Sequence, residues 1–187
     1  MPDDEHERVA ELVFSHAERL LKGEATGKPD PAQALSFYQQ AADLGLGRAH
    51  LRLGDLQSKG LCGPADLSKA LHAYKRAADA GELVAFASMA RMLERTEHWT
   101  EATKFWDKFF HELGKHEQQL GDDEILEAVL AYLIWQISRG ETPARYPVFN
   151  LCAAHVRAHS DSVMSQVTDA RQRSILAKIQ DWLEFNG

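Results

Sequence analysis

Two histidines four residues apart, His155 and His159, have the spacing in this sequence that most resembles a metal site. Residues at i and i+4 share one face of a helix, so two imidazoles placed this way can bind zinc or another transition metal. No HExxH pattern surrounds them, and no third ligand follows at a predictable spacing. Solvated or capping histidines near a helix end are the favoured interpretation. A metal-dependent regulator or enzyme that uses this pair is kept as an alternative.

Other catalytic patterns are absent from the sequence. It has no GxSxG, Walker-type or GxGxxG motif, so acyl transfer, phosphate-loop nucleotide binding and Rossmann cofactor binding have no support. Cys62 and Cys152 stand alone, without the CxxC pairing of a zinc ribbon or a thioredoxin-like site. The sequence therefore predicts a protein that is not an enzyme and that holds no cofactor.

The composition is that of a soluble, folded protein. Of the 187 residues, 44% are hydrophobic and 26% are charged, with a formal net charge of −7. Without a cluster of lysines and arginines, an acidic chain is a poor ligand for nucleic acid and better suited to a basic partner. No apolar run of about 18 residues is present to span a membrane, and the acidic N-terminus does not resemble a signal peptide. We expect one cytoplasmic domain over residues 1–187.

An internal repeat predicts the elements that position any functional residue. Seven residues are identical to those 36 positions later: Ala34, Leu35, Tyr38, Ala41, Ala42, Gly45 and Ala49 match Ala70, Leu71, Tyr74, Ala77, Ala78, Gly81 and Ala85. This period is typical of helical solenoids. The alanines let two helices approach closely, while the tyrosine fills the gap between neighbouring pairs.

Start and stop signals set the helix boundaries. Asp30 and Asp66 are predicted N-caps, and Gly45 and Gly81 suit a left-handed C-cap. Helix pairs are predicted at about 5–44, 47–80 and 82–113. The third pair is degenerate, because the aromatic residues Phe105, Trp106, Phe109 and Phe110 stand in its second helix, where we expect them to form core.

The last third of the sequence is less regular. An apolar helix at 122–139 and a second helix at about 143–159 are predicted to form a diverged fourth pair. An amphipathic helix at about 162–185 would cap the open end of the stack. The predicted fold is an all-α solenoid, or superhelix, of about three to four helix-pair repeats with a C-terminal capping helix.

The repeated residues resemble the Sel-one-like repeat of the tetratricopeptide-like superfamily. Its pattern of A-x3-L-G, a glycine-containing loop, D-x2-K-A, an aromatic, K-A-A and G is matched by Ala49, Leu53, Gly54, Gly60, Asp66, Lys69, Ala70, Tyr74, Lys75, Ala77, Ala78 and Gly81. The match is strong over 45–85, good over 30–45 and weak up to 113. Gln57 stands where the family has an aromatic, and the loop from Gly60 to Pro64 departs from the family's usual form.

The resemblance implies a function in protein binding. In this superfamily the first helix of each pair lines a concave groove in which partners lie. The corresponding residues are Glu18, Lys22, Arg48, Asp55, Lys59, Arg91, Glu94 and Arg95, with Trp135 and Arg139 added by a fourth pair. Mixed charge with several arginines suits carboxylates of a partner peptide. For each residue alone, the alternative is an ordinary solvated position on its helix.

The leading hypothesis is therefore a non-catalytic adaptor or scaffold that binds a protein or peptide in the groove. A sharper form, which the resemblance implies, is a bacterial immunity-type inhibitor of a toxic effector, since an acidic binder suits a basic toxin. Two alternatives stay open. One is the metal-dependent regulator or enzyme, and the other is a self-associating structural protein that stacks near Trp106 or Trp182.

Overall fold

The computed structural model describes residues 2–24, 27–116 and 123–139, which contain seven α-helices and no β-strand. The helices are α1 (Pro2–Lys22), α2 (Pro31–Asp43), α3 (Gly47–Lys59), α4 (Leu67–Asp79), α5 (Val84–Arg95), α6 (Trp99–Leu113) and α7 (Asp123–Ser138). They confirm the predicted all-α fold of helix pairs. The predicted helices at 143–159 and 162–185 lie outside the described residues, so they stay predictions.

The chain divides into two compact units, Met1–Thr103 and Lys104–Gly187. In the first unit α1 packs on α2 and α3 on α4, while α2–α3 and α4–α5 contacts join successive pairs. Packing of each element mainly on its neighbours along the chain is the architecture of a helical repeat solenoid. A single domain over the whole chain remains a prediction. None of the described helices is long and apolar enough to cross a bilayer.

Matching caps begin the second helix of the first two pairs. Asp30 Oδ1 accepts a hydrogen bond from the Gln33 N–H at 2.9 Å, and Asp66 Oδ1 accepts one from the Lys69 N–H at 2.9 Å. Each bond satisfies a donor that the first turn of a helix leaves without a backbone partner. The same bond from Lys69 lowers the pKa of the Asp66 carboxyl. Both predicted N-caps are confirmed.

Tyr38 and Tyr74 occupy equivalent places in successive pairs. Their side chains are 0% and 2% exposed, and the alanines that precede and follow them on the same helix stripe are buried as well. The ring of Tyr74 lies directly against Gly54 of α3, where an added Cβ would come within 2.5 Å of two ring carbons. The 36-residue repeat therefore corresponds to a two-helix unit. Small residues within the unit leave room for the tyrosine ring of its second helix.

The helix ends contain residues in the left-handed region. Gly45 and Gly81, which follow α2 and α4, both have φ of 94°, as predicted. The first helices of the three pairs end in a common turn at Gly23 (φ 78°), Gly60 (φ 66°) and Glu97 (φ 61°). The third turn thus uses a glutamate where the other two use glycine, which is conformationally costly because its Cβ crowds the backbone.

We expect Glu97→Gly to raise the free energy of unfolding by about 0.5–1 kcal/mol, because glycine adopts this φ without a steric penalty. Urea denaturation followed by far-UV circular dichroism measures the change. The control is Glu97→Ala, which removes the carboxylate but keeps a Cβ and should give no such gain. Equal stability of the two variants would contradict the explanation.

His50 is the one described histidine that is buried, with 6% exposure on α3. Burial, followed by the positive charge of Arg76, lowers the pKa of its imidazole, while Asp43 opposes this and His72 adds to it. At pH values just below the ordinary histidine pKa of about 6.5, the imidazole binds a proton in the unfolded chain but stays neutral in the folded chain. Stability is therefore lost as the pH falls from about 6.5 through the lowered folded-state pKa.

Urea denaturation curves recorded from pH 7.5 to pH 5, in steps of about half a pH unit, test this expectation. The wild type should lose stability over this window, and His50→Gln should lose less because it has no proton to take up. The control is His111→Gln, at an exposed position on α6, which should follow the wild-type pH profile. A His50→Gln profile that parallels the wild type would exclude His50 as the cause.

Candidate partner-binding face

A continuous chain of polar contacts runs across the first unit and joins five helices. Its members, called the polar ladder below, are Glu18 of α1, Tyr38 of α2, Arg52, Asp55 and Ser58 of α3, Tyr74 of α4 and Arg95 of α5. Three of the predicted groove residues, Glu18, Asp55 and Arg95, are thus brought together in one network. Because each member is bonded to the next, side chains from successive helices are held in fixed positions.

Glu18 is the centre of the first half of the ladder. The Tyr38 hydroxyl donates to Glu18 Oε1 at 2.7 Å, and Arg52 Nε donates to the same oxygen at 3.0 Å. Arg52 Nη1 also lies 3.7 Å from Asp55 Oδ2, which links the two halves. The Arg52 and Glu18 side chains are 31% and 23% exposed. This pair is therefore partly shielded from water and interacts more strongly than a fully exposed pair.

Asp55 is the centre of the second half. The Tyr74 hydroxyl donates to Asp55 Oδ1 at 2.8 Å and lies 3.1 Å from Ser58 Oγ. Arg95 Nη2 donates to the Ser58 carbonyl oxygen at 2.7 Å and so ties α5 to α3. A tyrosine of the second helix bonded to a carboxylate of the first helix therefore recurs in both pairs.

Both ladder tyrosines are held in the protonated form. Burial, followed by the hydrogen bond to Glu18, raises the pKa of the Tyr38 hydroxyl well above its usual value. For Tyr74, burial is again the largest cause of the raised pKa, and the negative charge of Asp55 is the next. The two hydroxyls therefore act as hydrogen-bond donors to the carboxylates over the whole physiological pH range.

Arg48, another predicted groove residue, is also engaged within the chain. Its guanidinium pairs with the Glu11 carboxylate of α1 and lies 4.5 Å from the centre of the Phe14 ring. A guanidinium over an aromatic face gains from the ring's negative surface, beyond the ion pair itself. Arg48 therefore contributes to the packing of α3 on α1 in addition to any contact with a partner.

Three cations lie one helical turn from ladder members. Lys22 follows Glu18 by four residues, Lys59 follows Asp55 by four, and Arg91 precedes Arg95 by four. Residues at this spacing share a helix face. Each of the three is exposed and makes no hydrogen bond or ion pair with the described residues. Together with the ladder they form what is called the first-helix face below.

The remaining predicted groove residues have other surroundings. Glu94 is partly buried on α5. Trp135 and Arg139 belong to the second unit, where the Arg139 guanidinium lies 5.6 Å from the centre of the Trp135 ring. Trp135 is only 8% exposed and packs against the Tyr132 ring at a centroid distance of 6.0 Å. It is therefore mainly a core residue of the second unit.

The predicted aromatic core in α6 is confirmed for three of its four members. Trp106 and Phe109 are 0% exposed and Phe110 is 2% exposed, whereas Phe105 is partly exposed beside Lys108. Because Trp106 is completely buried, its side chain offers no surface to a second copy of the chain. Trp182, the other residue proposed for self-association, lies outside the described residues.

The sequence does not predict the central role of Arg52 or the polar role of the tyrosines. Helical spacing predicts only that the tyrosine rings fill the space between helices. The use of Tyr instead of Phe in both pairs is the signal for the polar role, because a buried hydroxyl needs a hydrogen-bond partner. Arg52 has no such signal. It is one of several cations that helical spacing places on the solvent side of a helix. Its bond to Glu18, 34 positions away, depends on how α3 packs against α1.

Comparison with known families agrees with this geometry. The Sel1 repeat model matches residues 14–46, which hold the end of α1 and all of α2, and residues 47–82, which hold α3 and α4. The chain contains two Sel1-like repeats. Its two matched repeats contain most of the polar ladder, and α5, which packs on α4, follows them in the first unit. No curated protein matches the chain as a relative.

Sel1 repeats generally mediate protein–protein interaction and are generally non-catalytic. Among residues 2–24, 27–116 and 123–139, no group of three or more histidine, cysteine, aspartate or glutamate side chains is placed to hold a metal ion. His155 and His159 lie beyond the described residues, so the metal-site alternative stays a hypothesis.

Proposed function

We propose that this chain is a non-catalytic adaptor that binds a segment of a partner protein on the first-helix face. The observation that carries the proposal is that the carboxylates of this face are bonded within the chain, whereas three of its cations pair with no described residue. Glu18 and Asp55 are engaged by hydroxyl and guanidinium groups of the chain itself. Lys22, Lys59 and Arg91 are exposed, and no described residue pairs with them.

The expected partner segment is acidic. The free cations come one from each first helix, so an extended chain that crosses the three helices could place one carboxylate near each of them. The rigid ladder beneath them limits the ordering cost of binding, because the framework is already fixed before the partner arrives. Affinity would then come from anchors packed on the partly buried ladder, with the cations setting orientation.

A basic partner, as in an immunity-type inhibitor of a toxic effector, would need a different surface. The net charge of −7 favours such a partner, and exposed carboxylates are available at Glu5 and Glu7 of α1. The two versions of the function therefore differ in which face they use. We propose the cytoplasm as the location of either version, in keeping with the free, exposed thiol of Cys62.

The test is a triple charge reversal, Lys22→Glu, Lys59→Glu and Arg91→Glu. Exposed ion pairs contribute about 0.5–1 kcal/mol each, so losing three of them and adding repulsion should weaken binding by about 100-fold. Tagged wild type and variant would be used to capture partners from the native host. Isothermal titration with the purified partner then gives the two affinities. Arg48 and Arg95 are left unchanged because reversing them would also break bonds within the fold.

The matched control reverses three exposed lysines that do not belong to the first helices, Lys75→Glu of α4 and Lys104→Glu and Lys108→Glu of α6. It changes the net charge by the same amount, so it separates a local effect from a general one. The control should bind as the wild type does. A partner that binds the wild type and the first-helix variant equally would move the site to another surface, and equal weakening by both variants would indicate a purely long-range charge effect.

A further inference from the structure

One side of α1 carries apolar side chains that are exposed to solvent. Leu12, at 72%, is the most exposed large hydrophobic side chain in the described part of the chain, and Val9 is 48% exposed. His16 follows Leu12 by four residues, and its ring meets the Phe37 ring of α2 edge to face at a centroid distance of 4.7 Å. Residues at spacings of three, four and seven share one side of a helix. The residues called the outer face of α1 below are Glu5, Val9, Leu12, His16 and Arg19.

The corresponding face of α3 packs one helix pair on another. Glu18 of α1 and Asp55 of α3 each accept a hydrogen bond from the tyrosine of their own pair, which aligns α1 with α3 at an offset of 37 residues. At that offset the residues of α3 that correspond to Leu12, His16 and Arg19 are Ala49, Leu53 and Leu56. These three residues of α3 are 0–3% exposed and belong to one hydrophobic cluster with residues of α1 and α2. A solenoid buries such a face between neighbouring repeats, whereas α1 presents it to solvent.

Opposite charges flank the apolar part of this face at equal distances. Glu5 lies seven residues before Leu12 and Arg19 lies seven residues after it, about two helical turns to either side. Both residues are exposed, and neither pairs with a described residue. The two cannot pair within one α1 helix, because 14 residues of helix hold them about 21 Å apart. The outer face of α1 therefore has an acidic end, an apolar centre and a basic end.

A face with this pattern is complementary to a second copy of itself. When two α1 helices pack antiparallel about a two-fold axis at Leu12, the two Leu12 side chains meet at the centre, and each Glu5 lies opposite Arg19 of the other copy. In the same register Val9 lies opposite His16 of the second copy, and no like charges of the outer face oppose each other. The equal spacing of the charges about Leu12 is what a two-fold contact needs, and no other occupant requires it.

We propose that the protein forms a homodimer through the outer face of α1. The two α1 helices pack antiparallel, so the second copy takes the place that a preceding helix pair has against α3. Apolar contact at Leu12 and Val9 supplies the affinity, and the ion pairs between Glu5 and Arg19 set the register. Few side chains take part, so the dimer dissociates on dilution. None of them belongs to the first-helix face, so this inference does not depend on the proposed function.

Sedimentation velocity over an about 100-fold range of protein concentration tests the dimer. The wild type should change from monomer to dimer as the concentration rises. Leu12→Glu removes the central apolar contact and sets two carboxylates against each other, so the Kd of the dimer should rise at least about 30-fold. The matched control is Leu61→Glu, which makes the same change at a 50% exposed position of the loop between α3 and α4. It should dimerise as the wild type does.

Two results of this experiment would overturn the proposal. One is a wild type that stays monomeric over the whole range, which would leave the outer face of α1 to a different protein. The other is association that Leu12→Glu does not weaken, since the contact would then use another surface. Because Leu12 is exposed, far-UV circular dichroism should show the same helix content in the variant and in the wild type. Partner binding at the first-helix face should be unaffected by Leu12→Glu, so the two proposals can fail separately.

A charge exchange tests the antiparallel register without changing the apolar centre. Glu5→Arg and Arg19→Glu each set like charges opposite one another at two places in the dimer, so each should raise the Kd at least about tenfold. The two variants change the net charge in opposite directions, so a general charge effect cannot weaken both. An equal mixture of the variants should dimerise as the wild type does, because each introduced side chain then faces one of opposite charge on the other copy. A mixture that associates no more tightly than either variant alone would overturn the proposal.

Discussion

Gly54→Ala is expected to lower the free energy of unfolding by about 3 kcal/mol, although alanine is normally the better helix former. The added Cβ would lie 2.5 Å from two carbons of the Tyr74 ring. The ring cannot simply move away, because it is 2% exposed and its hydroxyl is bonded to Asp55 and Ser58. Relief of the clash must therefore separate α3 from α4 or break the polar ladder. Urea denaturation followed by circular dichroism measures the loss.

A double-mutant cycle with Tyr74→Leu is the control for this prediction. In the Tyr74→Leu background the large ring is absent, so adding a methyl group at position 54 should cost little or even stabilise α3. The coupling between the two substitutions should then reach about 2 kcal/mol or more. If Gly54→Ala costs the same in both backgrounds, contact with the ring is not the reason for the glycine.

The features predicted from the sequence are those that a short stretch of chain determines by itself. Asp30 and Asp66 cap helices because each carboxylate needs only the backbone N–H three residues ahead. The buried stripe around Tyr38 follows from helical spacing alone. These local rules repeat in successive pairs, which is why the period of the sequence predicts the packing of the first unit so well.

The features that the sequence did not predict depend on contacts between distant segments. Helical spacing puts Arg48 and Arg95 on a solvent-facing stripe, but their bonds to Glu11 and to the Ser58 carbonyl join residues 37 positions apart. Only the packing of one first helix on the next brings these groups together. For the same reason the sequence does not distinguish such engaged arginines from Arg91, which stays free of described partners.

Trp135 shows a second limit. Helix α7 is apolar over most of its length, with buried residues at 125, 128, 129, 132, 133, 135 and 136. When apolar residues surround a helix, their spacing no longer selects one face. Repeat spacing alone therefore places Trp135 in a groove, whereas its side chain is largely buried beside Tyr132.

The overall charge of the chain is likewise a poor guide to the charge of a site. The net value of −7 sums all residues, but part of the negative charge belongs to carboxylates that hydroxyl and guanidinium groups of the chain itself already bind. On the first-helix face the engaged groups include Glu18 and Asp55, and the charged groups that pair with no described residue are the cations Lys22, Lys59 and Arg91. This local balance of charge is the basis of the acidic partner segment proposed above.

Trp106→Ala is expected to cost about 3–5 kcal/mol of unfolding free energy in the second unit, since a large buried aromatic is replaced by a cavity. Trp106 is 0% exposed, and its ring centre lies 5.3 Å from that of Tyr132 and 5.9 Å from that of Phe109. The contact with Tyr132 joins α6 to α7, so hydrogen exchange of the α7 backbone amides should become faster in the variant. Urea denaturation measures the loss of unfolding free energy. Hydrogen exchange followed by NMR shows which helix is destabilised.

Trp99→Ala is the matched control, because it makes the same chemical change at the start of the same helix where the ring is 39% exposed. Its cost should stay below about 1 kcal/mol, and the α7 amides should exchange as in the wild type. Similar losses from both substitutions would mean that removing any tryptophan weakens the chain. A loss confined to Trp106→Ala, with faster exchange in α7, is the result expected if the aromatic cluster replaces the small-residue stripe of the earlier pairs as the means of packing.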